Sequence, residues 1–327
     1  MGRGVLTVLV ALVAFAAIAA SPAGSVQQSA KVRVLLVHYR SHGGVPRRAY
    51  VMLPAWYGAK NNPPIPLVIS PHGRGVTAIA NVSLFGNLPA QGGFAVISPE
   101  GQGRKLGRYS WGSAGQIDDL ARMPAIAHLT LPWLRVNPKQ IYAVGGSMGG
   151  QETLLLLGKH PTLLAGAAAL DAVTDLAQQY RSFPRLQCDQ SCRRTWRGSL
   201  GRSLQNLARI EIGGTPQKRA AAFAERSPVT YARAIAQSCV PLELWWSTKD
   251  KIVLDQSLQS GALYSRLISL NPNANVAAFV GTWRHSREMH ESTRFPAVLA
   301  WLGLIPPVEG ATSGLHAFEP EDACTRA

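Results

Sequence analysis

Beyond residue 20 the chain has no apolar run long enough to cross a bilayer, which excludes a spanning helix there. It has no internal repeat, so a solenoid or propeller array is excluded. It has no low-complexity tract, and 46% of its residues are apolar, so it can bury a large core. Carboxylates are scarce: 18 Asp and Glu stand against 33 Lys and Arg, a formal net charge of +15. Cysteine is limited to four residues, Cys188, Cys192, Cys239 and Cys324. No histidine or second cysteine pair lies near Cys188 and Cys192 to complete a tetrahedral zinc site, so no metal is expected. No cysteine closely follows the first apolar run, which argues against a lipoprotein anchor.

What is present begins with that run. Arg3 precedes Val5 to Ala20, which small residues close, and Ala17-Ile18-Ala19 fits a signal-peptidase site. Residues 1–20 are therefore read as a signal peptide and the protein as secreted. An even cysteine count in an exported chain suggests disulfides. The preferred pairing is Cys188–Cys192 with Cys239–Cys324, one of three possible connectivities.

Short apolar runs alternate with helical patterns along residues 31–304. Strands are expected near 31–38, 48–53, 64–70, 94–98, 141–144, 163–170, 241–246 and 275–280. Helices are expected near 76–88, 117–134, 152–157, 258–270 and 294–304. This alternation implies βαβ units and a mostly parallel sheet. Two departures stand out. Residues 305–327 are rich in Pro and Gly and are expected to be irregular. Residues 172–230 interrupt the alternation with many cations, Arg181, Arg185, Arg193, Arg194 and Arg197 among them, and few carboxylates. This stretch is read as a cap inserted after the sixth core strand.

Function in such sheets gathers beyond the carboxyl ends of the strands. The chemistry-bearing residues fall there. Gly145-Gly146-Ser147-Met148-Gly149 lies between a strand and a helix, the setting that a G-x-S-x-G nucleophile turn requires. The glycines remove side chains that would clash on so sharp a turn. A serine needs a base and a group to orient the base. Asp250 and His285 each follow a later strand. Asp171 and Asp255 compete for the acid role and His290 for the base. The backbone N–H of Met148, and that of Arg74 in His72-Gly73-Arg74-Gly75, are the expected oxyanion donors, with Gly73 the substitute for Arg74. The Arg74 side chain is expected to point to solvent. Trp111 and Trp283 are candidates for the pocket wall or for core packing.

Pro71-His72-Gly73, Gly145 to Gly150, Lys249-Asp250 and Trp283-Arg284-His285 together resemble the α/β-hydrolase superfamily. The glycine-rich turn is similar to that of the prolyl oligopeptidase catalytic domain and its esterase relatives. The resemblance covers residues 31–304. It implies an α/β-hydrolase fold with a mostly parallel eight-stranded central sheet, helices on both faces and a cap-like insertion. It also implies a serine hydrolase with Ser147, Asp250 and His285 as its triad, without metal or organic cofactor. Too few residues precede the sheet for the propeller of true prolyl oligopeptidases. That favours ester hydrolysis, on a small-molecule or polymeric ester, with peptide hydrolysis as the alternative. Nucleic acid is not an expected partner, because the basic stretch has few stacking aromatics. Attraction to an anionic cell surface fits the charge better, and a monomer is expected.

Overall fold

The computed structural model describes residues 26–28, 31–101, 110–186, 200–310 and 312–325. The signal-peptide reading and the Cys188–Cys192 pairing lie outside these residues.

One ten-stranded sheet runs through the molecule in the order β1-β2-β3-β5-β4-β6-β7-β8-β9-β10. The strands are β1 (Val26–Gln28), β2 (Val32–Arg40), β3 (Pro46–Pro54), β4 (Ile65–Ile69), β5 (Ala95–Pro99), β6 (Val136–Gly146), β7 (Gly166–Leu170), β8 (Leu242–Ser247), β9 (Val276–Gly281) and β10 (His316–Phe318). From β5 through β4 and β6 to β9 every pairing is parallel, and the outer pairings are antiparallel. The eight expected strands are all present. The count is corrected to ten by β1 and β10, two three-residue edge strands too short to show a pattern. The tail, expected to be irregular, supplies β10, which pairs with β9.

The central strands are buried on both faces, as their unbroken apolar sequence predicts. Helix 148–159 packs on β6 and β7 with Leu154 to Leu157 fully buried. The opposite face is covered through Phe85, Phe295 and Val298. The helical run expected over 117–134 is two helices, Ala114–Ala121 and Met123–Thr130, joined at Arg122. Pro124 explains the break, since it lacks the N–H that would continue the first helix and is tolerated in the first turn of the second.

Between β7 and β8 the described chain forms α-helices Leu176–Ser182, Leu200–Ile212, Ala220–Glu225 and Ala232–Gln237. Leu176, Tyr180, Phe183, Leu204, Ala208, Ile212 and Phe223 give this excursion its own apolar cluster, which also takes in Trp111 and Val253. Gln259 pins its start, with Oε1 accepting from the N–H groups of Thr174 and Asp175 at 2.8 Å each. The Cys239–Cys324 disulfide, the preferred pairing, is formed and ties the tail to the entrance of β8.

Candidate active site

β6 ends in the glycine turn, and helix 148–159 begins on its far side. Ser147 sits between them at φ 57° and ψ −122°, a strained backbone for a residue with a side chain. Its N–H donates to the Leu170 carbonyl at 2.8 Å, which anchors the turn on β7. Two glycines are required by close approach. A Cβ on Gly149 would lie 2.3 Å from the Pro71 carbonyl oxygen, and one on Gly145 would lie 2.5 Å from the Gly149 oxygen. The turn is thus pressed against the loop after β4.

That loop is held by His72, which is buried. Gly101 N–H donates to His72 Nε2 at 2.9 Å, so the ring proton is on Nδ1 and donates to the Gly73 carbonyl at 2.8 Å. The histidine is therefore a brace between the ends of β4 and β5. Arg74 follows and lines the cavity beside Ser147. Its guanidinium lies over the Trp111 ring, 5.4 Å from the centroid, and does not simply point to solvent as expected from the sequence. A cation over an indole face keeps much of its electrostatic stabilisation while covering apolar surface.

His285, on the loop after β9, meets both partners. Its Nε2 is 2.9 Å from Ser147 Oγ, and its Nδ1 is 2.7 Å from Asp250 Oδ2. Asp250 is buried at the end of the β8 turn. Its Oδ1 accepts the N–H groups of Ile252 and Val253 at 2.8 and 3.0 Å, and Gln256 donates to Oδ2 at 3.2 Å. Three donors and an imidazole hold the carboxylate in one orientation.

The competing residues lie elsewhere or do something else. Asp255 is partnered with Arg185 from the excursion. His290 lines a separate groove with Phe295 and Pro306. Asp171, at the end of β7, is close: ligand atoms of Asp171, Asp250 and His285 all lie within 4.8 Å of one another. Its two oxygens are committed to the surrounding loops. Oδ1 accepts Ser247 N–H at 2.9 Å, and Oδ2 accepts the Trp283 indole N–H at 3.0 Å and Ser286 N–H at 2.7 Å. Asp171 thus grips the loop carrying His285 on both sides of the histidine. Trp283 is accordingly a core residue bonded to Asp171 and covered by Arg294, with its guanidinium 5.0 Å from the ring.

Burial by itself would lower the His285 imidazole. The Asp250 carboxylate, through charge and hydrogen bond, and the Asp171 charge outweigh it, and the pKa is raised above the usual value. Burial pushes Asp171 up to about 6, and the neighbouring Asp250 charge adds to the rise. Glu288 is fully buried beside them. Burial and then the Asp171 charge hold it well above the ordinary carboxylate range.

Asp171, Asp250 and His285 are the three side chains whose atoms come close enough to share a cation among the described residues. Their donor set does not suit one. Every oxygen of the two carboxylates already accepts hydrogen bonds, and both imidazole nitrogens are engaged.

The cavity in front of Ser147 has a volume of about 230 Å³. Arg74, Ser147, Met148 and His285 form one wall, and Val173, Phe183, Leu204 and Val253 form much of the other. Met148 opens helix 148–159, where a backbone N–H has no partner within the helix. The sequence places the 172–230 excursion over the site but does not single out the residues of this wall. Leu200, Leu204, Ala208 and Ile212 recur every four residues, a helical signal that marks the wall's supporting helix.

No family model matches the sequence, and no curated protein sequence matches it. Solved structures match it in shape. The acylaminoacyl peptidase of Pyrococcus horikoshii has a TM-score of 0.60 at 13% identity, over 82% of this chain and 41% of that one. The chain therefore spans less than half of that peptidase. The fluorophosphonate-binding serine hydrolase F of Staphylococcus aureus has a TM-score of 0.57 at 16% identity, over 83% of this chain and 99% of that one. The S-formylglutathione hydrolase of Staphylococcus aureus gives 0.56 at 16% identity, with the same coverage. The fold is that of the α/β-hydrolases.

Proposed function

We propose that the protein is a serine hydrolase that cleaves carboxylic esters through Ser147, His285 and Asp250. The observation that carries this reading is the double engagement of His285, bonded to Ser147 Oγ on one nitrogen and to Asp250 on the other. Ser147 Oγ attacks the ester carbonyl carbon while His285 Nε2 takes its proton. Asp250 fixes the tautomer that leaves Nε2 free to accept, and stabilises the imidazolium that forms. The N–H groups of Met148 and Arg74 receive the oxyanion, and the positive end of helix 148–159 adds to their effect. The tetrahedral adduct expels the alcohol, which takes the proton from His285. Water then cleaves the acyl-enzyme by the same route and restores Ser147.

The protein is taken to act after export, with residues 1–20 as its signal peptide. Loss of Arg3 with that segment takes the net charge from +15 to +14, which supports electrostatic attraction to an anionic cell surface that salt would weaken. The chain acts as a monomer in this reading, and no cofactor enters the scheme. The peptidase among the structural neighbours favours a second reading, amide cleavage by the same residues.

Purified protein assayed on p-nitrophenyl butyrate beside a peptide p-nitroanilide tests both. The ester is expected to turn over with the larger kcat/KM. Undiminished ester turnover in Ser147→Ala would overturn the mechanism.

A further inference from the structure

Glu288 lies buried beside the triad, and the hydrolytic scheme gives it no part. It opens a turn of 3₁₀-helix, Glu288–His290, three residues after the base. The residue is 0% exposed. Neither of its carboxyl oxygens meets a hydrogen-bond donor from another described residue. A carboxylate so placed has lost its water and gained no N–H in return, a costly way to bury a charge.

Beside it stands a second acceptor. The Glu288 carboxyl and the Asp171 carboxylate are within hydrogen-bond reach of each other. Two carboxyl groups at that distance, shut away from water, need a proton between them. The donors decide which carries it. Asp171 accepts three N–H groups, from Ser247, Trp283 and Ser286, as an ionised carboxylate does. A carboxylate has about four acceptor sites, so one remains. Glu288 has at most its own N–H, so the proton belongs to it. Burial and the charges of Asp171 and Asp250, from the ends of two neighbouring strands, favour the same form. Arg294, on the helix packed against this turn, is paired with Glu291 at 3.0 Å, and Arg287 and His290 beside Glu288 are exposed.

The same loop is clamped at further points. Asp171 and Ser286, which share a hydrogen bond, have φ of 44° and 52°, a region that residues with side chains enter only when their surroundings hold them there. Met289 stands against the nucleophile turn, where a Cβ on Gly146 would lie 2.1 Å from its Sδ. The geometry points to Glu288 as a positioning residue for the base: it stands as the neutral acid, and its O–H donates to the Asp171 carboxylate, tying the far side of the His285 loop to the end of β7. The inference rests on the hydrolase reading and adds a residue to it. Glu288 is not among the residues that line the cavity and acts only through the loop. It keeps His285 Nε2 aimed at Ser147 Oγ, so its loss acts on kcat more than on KM.

Three measurements test it. Infrared difference spectra of wild type against Glu288→Gln at pH 7 are expected to show a protonated-carboxyl C=O band in wild type only. Glu288→Leu, which keeps the bulk and loses the donor, is expected to lower kcat on p-nitrophenyl butyrate by about tenfold or more, with KM little changed. Glu288→Gln, whose amide N–H₂ still donates to Asp171, is expected to keep kcat close to that of wild type. The acidic limb of its kcat/KM profile is expected to stay in place, because a neutral side chain replaces a neutral one. An ionised Glu288 would be a negative charge near His285, and its removal would move that limb to lower pH. A missing band, a limb that moves down or a Leu variant with wild-type kcat would each overturn the inference, as would equal losses in the Gln and Leu variants. If the Leu variant misfolds, the band and the Gln variant decide. A wild-type protein that a fluorophosphonate labels and that turns over esters, but fails these tests, sinks the role of Glu288 alone. A wild-type protein neither labelled nor active on any ester sinks the hydrolase reading and the positioning role with it.

Discussion

One wall of the Ser147 cavity comes from the ends of parallel strands, and the facing wall comes largely from the excursion between β7 and β8, completed by Ile252 and Val253 from the loop after β8. The first wall is held by directed bonds. Ser147 is anchored on β7, His285 is held by Asp250, and its loop is gripped by Asp171 through Trp283 and Ser286. The second wall is held largely by apolar packing, with Phe183 edge-on to Trp111 at 5.6 Å and Tyr180 against Phe223 at 5.4 Å. Directed bonds fix atoms for chemistry, whereas packing fixes a volume and tolerates exchange of similar side chains. Changes to the first wall are therefore expected to act on turnover, and changes to the second on substrate range and stability.

The largest effect tests the first half of that contrast. Ser147→Ala is expected to lower kcat by about five to six orders of magnitude, with the melting temperature little changed. Asp250→Asn is expected to cost about 10⁴-fold in kcat, because the amide no longer selects the imidazole tautomer that accepts from serine. A loss below tenfold would mean that Asp171 supplies the working carboxylate.

Asp171→Asn separates gripping from catalysis. Its NH₂ group then faces either the Ser247 N–H or both the Trp283 and Ser286 donors, and about a tenfold loss in kcat/KM is expected. The pH profile gives a second reading. Activity needs neutral His285, so kcat/KM rises through the His285 pKa, which stands above the ordinary 6.5. Asp171 contributes to that rise by charge, so its removal is expected to move the acidic limb to lower pH while Asp250 remains and Glu288 stays close by. A limb that does not move would show that the Asp171 charge is not felt at the imidazole.

On the packed wall, Leu204→Ala is expected to destabilise the fold by about 2–4 kcal/mol, since Leu204 is 4% exposed within the excursion cluster. Denaturant unfolding measures it, and a fluorophosphonate should still label Ser147 in the folded fraction.

The smallest expected effect lies where the walls join. Glu152, on the helix after Ser147, accepts from Ser110 and from Gln116. Arg226 of the excursion donates to the Ser110 carbonyl at 2.9 Å. Burial pushes the Glu152 carboxyl up to about 8. The folded protein then binds a proton that the unfolded chain has lost, so this group's contribution is fullest below pH 4.5 and declines as pH rises towards 8. Glu152→Gln is expected to flatten that decline in melting temperature between pH 5 and 8. An unchanged slope would assign the decline to another group, such as Glu243, which burial also raises.

The two walls also differ in how far they could be read in advance. The strands of the first wall announce themselves as short apolar runs, and the glycine turn, the His72-Gly73 loop, Asp250 and His285 each sit at a strand end. The choice between Asp250 and Asp171 was open, because both follow strands. The second wall gave weaker signals. Its helix over 200–212 carries a four-residue apolar spacing. Trp111 is legible as a pocket or core residue, whereas nothing in the local sequence marks Gln179, whose amide is placed by its bond to the Ile252 carbonyl.

By itself the sequence determined the alternation of strands and helices, the strained serine turn and the set of residues from which a relay can be drawn. Those properties follow from periodicity and from steric limits that act over a few neighbouring residues. Tertiary structure alone decided which carboxylate meets His285, that Asp171 grips the loop instead, and what shape the cavity takes. Those are contacts between residues up to 138 positions apart, and they depend on how loops close over a sheet whose register no local pattern encodes.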